Sequence, residues 1–204
     1  MSTHKNAGSQ GAANETRVRS FFELEGYADA SDVLNVKAVS AATITHPDYQ
    51  RRLDWAIQRV GADAFFVLRT KIAGESMYHV PWNVDVFAWH KTVFPHGFVM
   101  EVKQQSVAGS VDEKMPFVVG SLLKLSKSTG GVSALYLSGG AIRPCAVEWS
   151  RSHEGNQDGA RFYLVETDSE LRYLLKNGKK SEAAYKRQSR QQNGGLFSES
   201  GSNE

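Results

Sequence analysis

Trp82-Asn83-Val84-Asp85-Val86-Phe87-Ala88, followed closely by Gly97-Phe98-Val99-Met100-Glu101-Val102-Lys103-Gln104, is the stretch on which the reading of this chain turns. Both pieces are dense in Val, Phe and Met, side chains that fit a pleated, half-buried surface, and both read as β-strands. Residues 89–96 separate them and include Pro95, with Gly97 next; a turn there makes the pair a hairpin. Strand alternation sends Glu101 and Lys103 to one face and Val102 to the other. Asp85, between Val84 and Val86, reaches that same face from the neighbouring strand.

Two carboxylates in an apolar strand pair are costly unless something compensates their charge. A divalent cation and an adjacent ammonium do so. Asp85 and Glu101 are therefore candidate ligands of a hard cation such as Mg2+, with Lys103 beside the water that attacks a phosphodiester. Three roles are open to Lys103: positioning that water, lowering its pKa, or stabilising the charge that builds around phosphorus. The competing reading is a structural Glu–Lys pair on a half-exposed strand, a spacing that chance often produces.

Working outward, residues 12–25 read as a helix with Val18, Phe21, Phe22 and Leu24 on one stripe. A short strand is expected at 33–39, a helix at 48–60 behind Pro47, and a strand at 64–68. Beyond the hairpin come a helix at 111–126 with Pro116 in its first turns, strands at 132–137 and 161–166, and a helix at 168–176 capped by Thr167. The order fits an α/β domain, a central mixed β-sheet flanked by α-helices. Residues 1–10 and 178–204 are polar and Gly/Ser-bearing; they are expected to be a disordered N-terminus and a flexible tail around one domain spanning 11–177.

Composition sets bounds. The chain has 204 residues, 41% of them hydrophobic and 23% charged, which is ordinary for one globular domain. A net charge of +2 means that any basic surface for nucleic acid is local. The single cysteine, Cys145, excludes an intrachain disulfide and a cysteine-cluster metal site, and its apolar setting reads as core. No apolar run approaches the roughly 20 residues that span a membrane. The expectation is a soluble cytoplasmic protein without a membrane partner or an organic cofactor.

The pattern Asp85-x15-Glu101-x-Lys103, each half in an apolar strand, resembles the PD-(D/E)XK nuclease superfamily, which includes many restriction endonucleases. Gln104-Gln105 and Gly109-Ser110-Val111-Asp112-Glu113-Lys114 resemble a branch in which a Gln follows the Lys and a similar segment opens the next helix. Gly11-Ala12-Ala13-Asn14-Glu15-Thr16-Arg17-Val18-Arg19-Ser20-Phe21-Phe22 is similar to the family's first helix, which often carries a Glu near its start. One departure stands out: Val84, not Pro, precedes Asp85.

The resemblance implies a restriction-endonuclease-like core and a Mg2+-dependent endonuclease acting on double-stranded DNA as a homodimer, most like a type II restriction enzyme. It implies Asp85, Glu101, Lys103 and Gln105 as catalytic residues and Asp85, Glu101 and Glu15 as metal ligands. Glu15 also reads as a helix-dipole acid in a first turn. Gln105 shares the face of Glu101 and Lys103 if the strand runs on, whereas Gln104 holds the family's Gln position; a bulge would reconcile the two. Residues 27–78 and 149–159 are candidate places for reading bases. The alternatives are a repair, recombination or junction-resolving nuclease of the same fold, and a catalytically silent DNA-binding subunit.

Other residues carry weaker signals. His79, His90 and His96 flank the hairpin and could touch phosphate. Lys114 and Lys124 are candidate phosphate contacts, and Ser110 a helix cap. Gly139-Gly140 reads as a strand-ending turn. The basic run Arg172, Lys176, Lys179, Lys180, Lys186, Arg187 and Arg190 could grip a nucleic-acid backbone or stay solvated.

Overall fold

The computed structural model describes residues 6–104, 110–138 and 142–181. Gln105, the Gly139-Gly140 turn and the tail from 182 onward lie outside the described residues, as does the side chain of Ser110. Seven strands form one mixed sheet in the order β1-β2-β3-β4-β5-β7-β6. They are β1 (Ala28–Asp29), β2 (Ala64–Thr70), β3 (Val84–His90), β4 (Phe94–Gln104), β5 (Val132–Ser138), β6 (Gly155–Gln157) and β7 (Ala160–Val165). The helices are α1 (Asn6–Leu24), α2 (Val36–Thr45), α3 (Tyr49–Val60), α4 (Ser110–Thr129), α5 (Pro144–Arg151) and α6 (Asp168–Asn177).

The centre of the sheet is β2-β3-β4 antiparallel, continued by β5 and β7 parallel to β4. α4 supplies the crossover that a parallel β4–β5 pair requires. Successive β4 residues feed two separate cores. Phe98 and Met100 pack with Val18 and Phe22 of α1 and Leu171 and Leu174 of α6; Val99 packs with Leu53 of α3 and Val119 and Leu122 of α4. This three-layer arrangement is the expected α/β sheet flanked by helices, a restriction-endonuclease-like core. No helix among the described residues is long and apolar enough to cross a membrane.

Local chemistry explains the helix ends. Asp48 caps α3 by accepting from the Arg51 amide, and Gly61, with φ 68°, closes it in the left-handed conformation open to glycine. Thr167 caps α6 by accepting from the Glu170 amide, as its position before the acids anticipates.

Four expectations are corrected. The segment 33–39 is not a strand: the Asn35 side chain accepts from the Ala38 amide, and Val39 and Ala42, three apart, bury one face of α2. The hairpin turn is tighter than 89–96, since His90 already pairs with Phe94. Pro95, His96 and Gly97 instead form a bulge inside β4, where three residues stand against Trp89 alone. Cys145 is exposed, on the first turn of α5, a helix that Pro144 starts and the sequence did not announce. The packed chain also runs past 177: Lys180 is buried, 2.6 Å from the Glu154 carboxylate, so it is no part of a loose basic tail.

Candidate active site

The registers of β2, β3 and β4 put three charged residues in one row. Leu68 stands opposite Val86, and Val86 opposite Met100. One step further along, the same alignment sets Arg69, Asp85 and Glu101 side by side.

At that row the regular β3–β4 pairing stops after Val86 and Met100. Strands that part leave amides without a ladder partner, and an unpaired amide is costly away from water. Here the two acids supply the acceptors. The Asp85 amide donates to Glu101 Oε1 at 3.1 Å, and the Val102 amide donates to Asp85 Oδ2 at 2.9 Å. Each carboxylate is thus fixed by a charge-assisted bond to a backbone that cannot swing away.

Lys103 completes the group. Its Nζ lies 2.6 Å from Glu101 Oε2 and 3.7 Å from Asp85 Oδ2. The three side chains expected to converge do so. Glu101 is buried, whereas Asp85 and Lys103 are partly open. Burial pushes the Glu101 carboxyl up to about 7; the Lys103 ammonium pulls it down, and the Asp85 charge raises it again. Asp85 borders an open cleft of about 140 Å³. Two hard oxygen donors, one carrying a buried charge in need of compensation, fit a divalent cation such as Mg2+.

Asn14, Glu15, Arg69 and Val102 line the same cleft. Glu15 is well inside α1, not in its first turn, so a helix-dipole role does not apply. Its carboxylate lies 2.9 Å from the Arg69 guanidinium. Among the described residues no three His, Cys, Asp or Glu side chains are grouped to hold a metal ion. Gln104 accepts a short hydrogen bond from Asn14, tying α1 to the end of β4.

The other sequence candidates lie apart or are engaged. His90 sits at the turn end of the hairpin, about 16 Å along β3 from Asp85. Its Nδ1 accepts from the Thr92 and Val93 amides at 3.2 Å, a turn cap, and His96 lies in the bulge near the same turn. Lys124 is bound to the Ser76 carbonyl at 2.8 Å with His79 and Glu75 beside it. Arg69 was not anticipated, and its one signal is a charge ending the apolar run Ala64-Phe65-Phe66-Val67-Leu68.

The model of the PD-(D/E)XK nuclease superfamily domain matches residues 6–176, most of the chain. No curated protein and no solved structure matches it. The match takes in every element from α1 to α6 and the whole charged row, and members of that superfamily are generally nucleases. The chain belongs to the PD-(D/E)XK nuclease superfamily.

Proposed function

We propose that this protein is a Mg2+-dependent endonuclease that hydrolyses DNA phosphodiester bonds, most like a type II restriction endonuclease. The observation that supports this best is the Asp85–Glu101 pair, each acid clasped by backbone, with the Lys103 ammonium between them.

Asp85 and Glu101 would hold the cation, which when bound supplies Lewis-acid polarisation of the phosphate and a nucleophilic water near neutral pH. The two backbone bonds keep the carboxylates in place, so little reorganisation precedes the reaction. Asp85 lines the cleft. Lys103 places a positive charge where the phosphoryl oxygens gain negative charge, and it offsets the buried Glu101 in the free protein. Gln105, next but one after Lys103 in the sequence, is included in the proposed catalytic set. The substrate is double-stranded DNA, met by a homodimer in which each copy cuts one strand, in the cytoplasm.

The test is plasmid cleavage with Mg2+ by the full chain beside Asp85→Ala and Glu101→Ala. Cleavage by the wild type alone supports the reading; equal cleavage by either variant refutes the site. Mapping the cuts on mixed-sequence DNA then separates a sequence-specific enzyme from a structure-specific repair or junction nuclease.

A further inference from the structure

We infer that Arg69 is the phosphate-binding residue of the cleft beside Asp85, and that Glu15 holds its guanidinium in place until nucleic acid arrives. The inference rests on the nuclease reading of the site and adds to it a residue and a role.

Arg69 has φ 51°. Among the described residues two other non-glycines have positive φ, and both sit at turns. His79 lies in the loop closed by the Glu75–Pro81 bridge, and Asp158 joins β6 to β7. Arg69 lies inside β2, between Leu68 and Thr70, which both keep their β3 partners Val86 and Val84. No turn is needed there. An arginine in that conformation is strained, and strain of this kind persists where the surroundings or the function require it.

The consequence is directional. Alternation along β2 would send Arg69 to the face of Phe65 and Val67, the apolar core under α3 and α4. The left-handed residue instead delivers its guanidinium to Glu15 on α1 and to the cleft that Asp85 borders. The strand thus breaks its own alternation at the position level with Asp85 and Glu101.

What Arg69 meets there is exchangeable. Its side chain is 63% exposed and that of Glu15 34%, so their ion pair is wet and weakly held. A phosphodiester offers a guanidinium the same two-oxygen geometry as a carboxylate and brings its own charge. A phosphate in the cleft would take the place of Glu15. Glu15 in turn is a carboxylate already neutralised by arginine and stands outside the cation-binding pair.

The test uses the full-length chain. Duplex binding is measured in EDTA over a range of salt, and Mn2+ binding by electron paramagnetic resonance on DNA-free protein. Arg69→Gly suits the left-handed backbone, so it should fold with an unchanged or higher melting temperature. It should bind duplex about tenfold more weakly, with a salt slope lower by about one. Arg69→Lys should recover part of both. Glu15→Gln should bind duplex as well as the wild type or better and keep its Mn2+ binding, while Asp85→Asn loses Mn2+. Wild-type affinity and slope in Arg69→Gly would overturn the inference and leave the Asp85–Glu101 site standing. Loss of Mn2+ by Glu15→Gln would overturn it too, by making Glu15 a metal ligand. A wild type that binds no duplex would overturn the nuclease reading along with it.

Discussion

The Asp85 and Glu101 carboxylates do not hydrogen-bond to one another; each accepts from the other's strand, Asp85 Oδ2 from the Val102 amide and Glu101 Oε1 from the Asp85 amide. The two acids are at once the proposed cation ligands and the closure of the strand pair. Their substitutions should therefore separate chemistry from folding in a graded way.

Asp85→Asn keeps an oxygen for the Val102 amide, so stability should change by less than about 1 kcal/mol while cleavage falls by orders of magnitude. Asp85→Ala leaves that amide to water and should cost about 1 kcal/mol as well. Urea unfolding beside single-turnover cleavage on the same preparations checks both. An Asp85→Asn protein that still cut at the wild-type rate would remove Asp85 from the site.

Glu101 gives a dependence on pH with a definite sign. Its carboxyl is raised to about 7 in the folded chain from an ordinary 4.5. A raised acid favours the folded state below about pH 4.5 and withdraws that advantage as pH climbs to about 7. In EDTA, the wild type should lose up to about 3 kcal/mol relative to Glu101→Gln across that window. Cation binding requires the ionised form, so Mn2+ affinity and cleavage should both rise as pH passes through about 7. Parallel pH profiles of the two proteins would contradict the assignment.

Lys103 lies 2.6 Å from Glu101 and faces the proposed reaction centre. Lys103→Ala should lower the single-turnover rate by orders of magnitude, with duplex affinity in Ca2+ little changed. Ca2+ itself should support binding with little cleavage, because its looser coordination places the attacking water poorly. Lys103→Arg should rescue poorly, since a planar guanidinium does not replace a compact ammonium between two carboxylates. If the Ala variant lost affinity and kept its rate at saturating protein, Lys103 would be a phosphate anchor.

Lys180 and Glu154 form a buried ion pair that fastens the chain after α6 to the β6 end of the sheet. Lys180→Ala strands a buried carboxylate and should cost about 3 kcal/mol near neutral pH. Burial already raises the Glu154 carboxyl, with Lys180 opposing the rise. Without the lysine, protonation at low pH relieves the stranded charge, so the cost should shrink toward pH 5. A chain ending at residue 181 should match the wild type in urea. If that chain melted like Lys180→Ala, residues beyond 181 would be structural.

The sequence disclosed what depends on neighbours in the chain. Charge inside the apolar runs around Asp85 and Glu101 marked the site, because such runs tolerate acids poorly. Pro47 and the Thr167 cap marked helix starts. What it hid depends on partners far along the chain. Pro95 and Gly97 signal a turn locally, and only the pairing with β3 makes them a bulge. Arg69 drew no attention in the sequence, and only the register sets it level with Asp85. The segment 33–39 reads as a short strand, and the Asn35 cap starts a helix there instead. Cys145 looked apolar among its neighbours, yet α5 turns it outward.

The bulge has a consequence for the distant end of the hairpin. Between its two flanking pairs β4 spends two more residues than β3, an even excess, so the odd-and-even phase of the strand passes through unchanged. An odd excess would rotate every later side chain by half a turn, presenting Val102 where Glu101 and Lys103 now stand. Gly97 locks the count: a Cβ there would meet the Phe87 ring at 2.9 Å, and the neighbouring His96 carbonyl is held by the Tyr49 hydroxyl at 2.8 Å. The bulge acts as a parity gate: removing one exposed residue from it should turn Glu101 and Lys103 away from Asp85 without substituting any residue of the charged row.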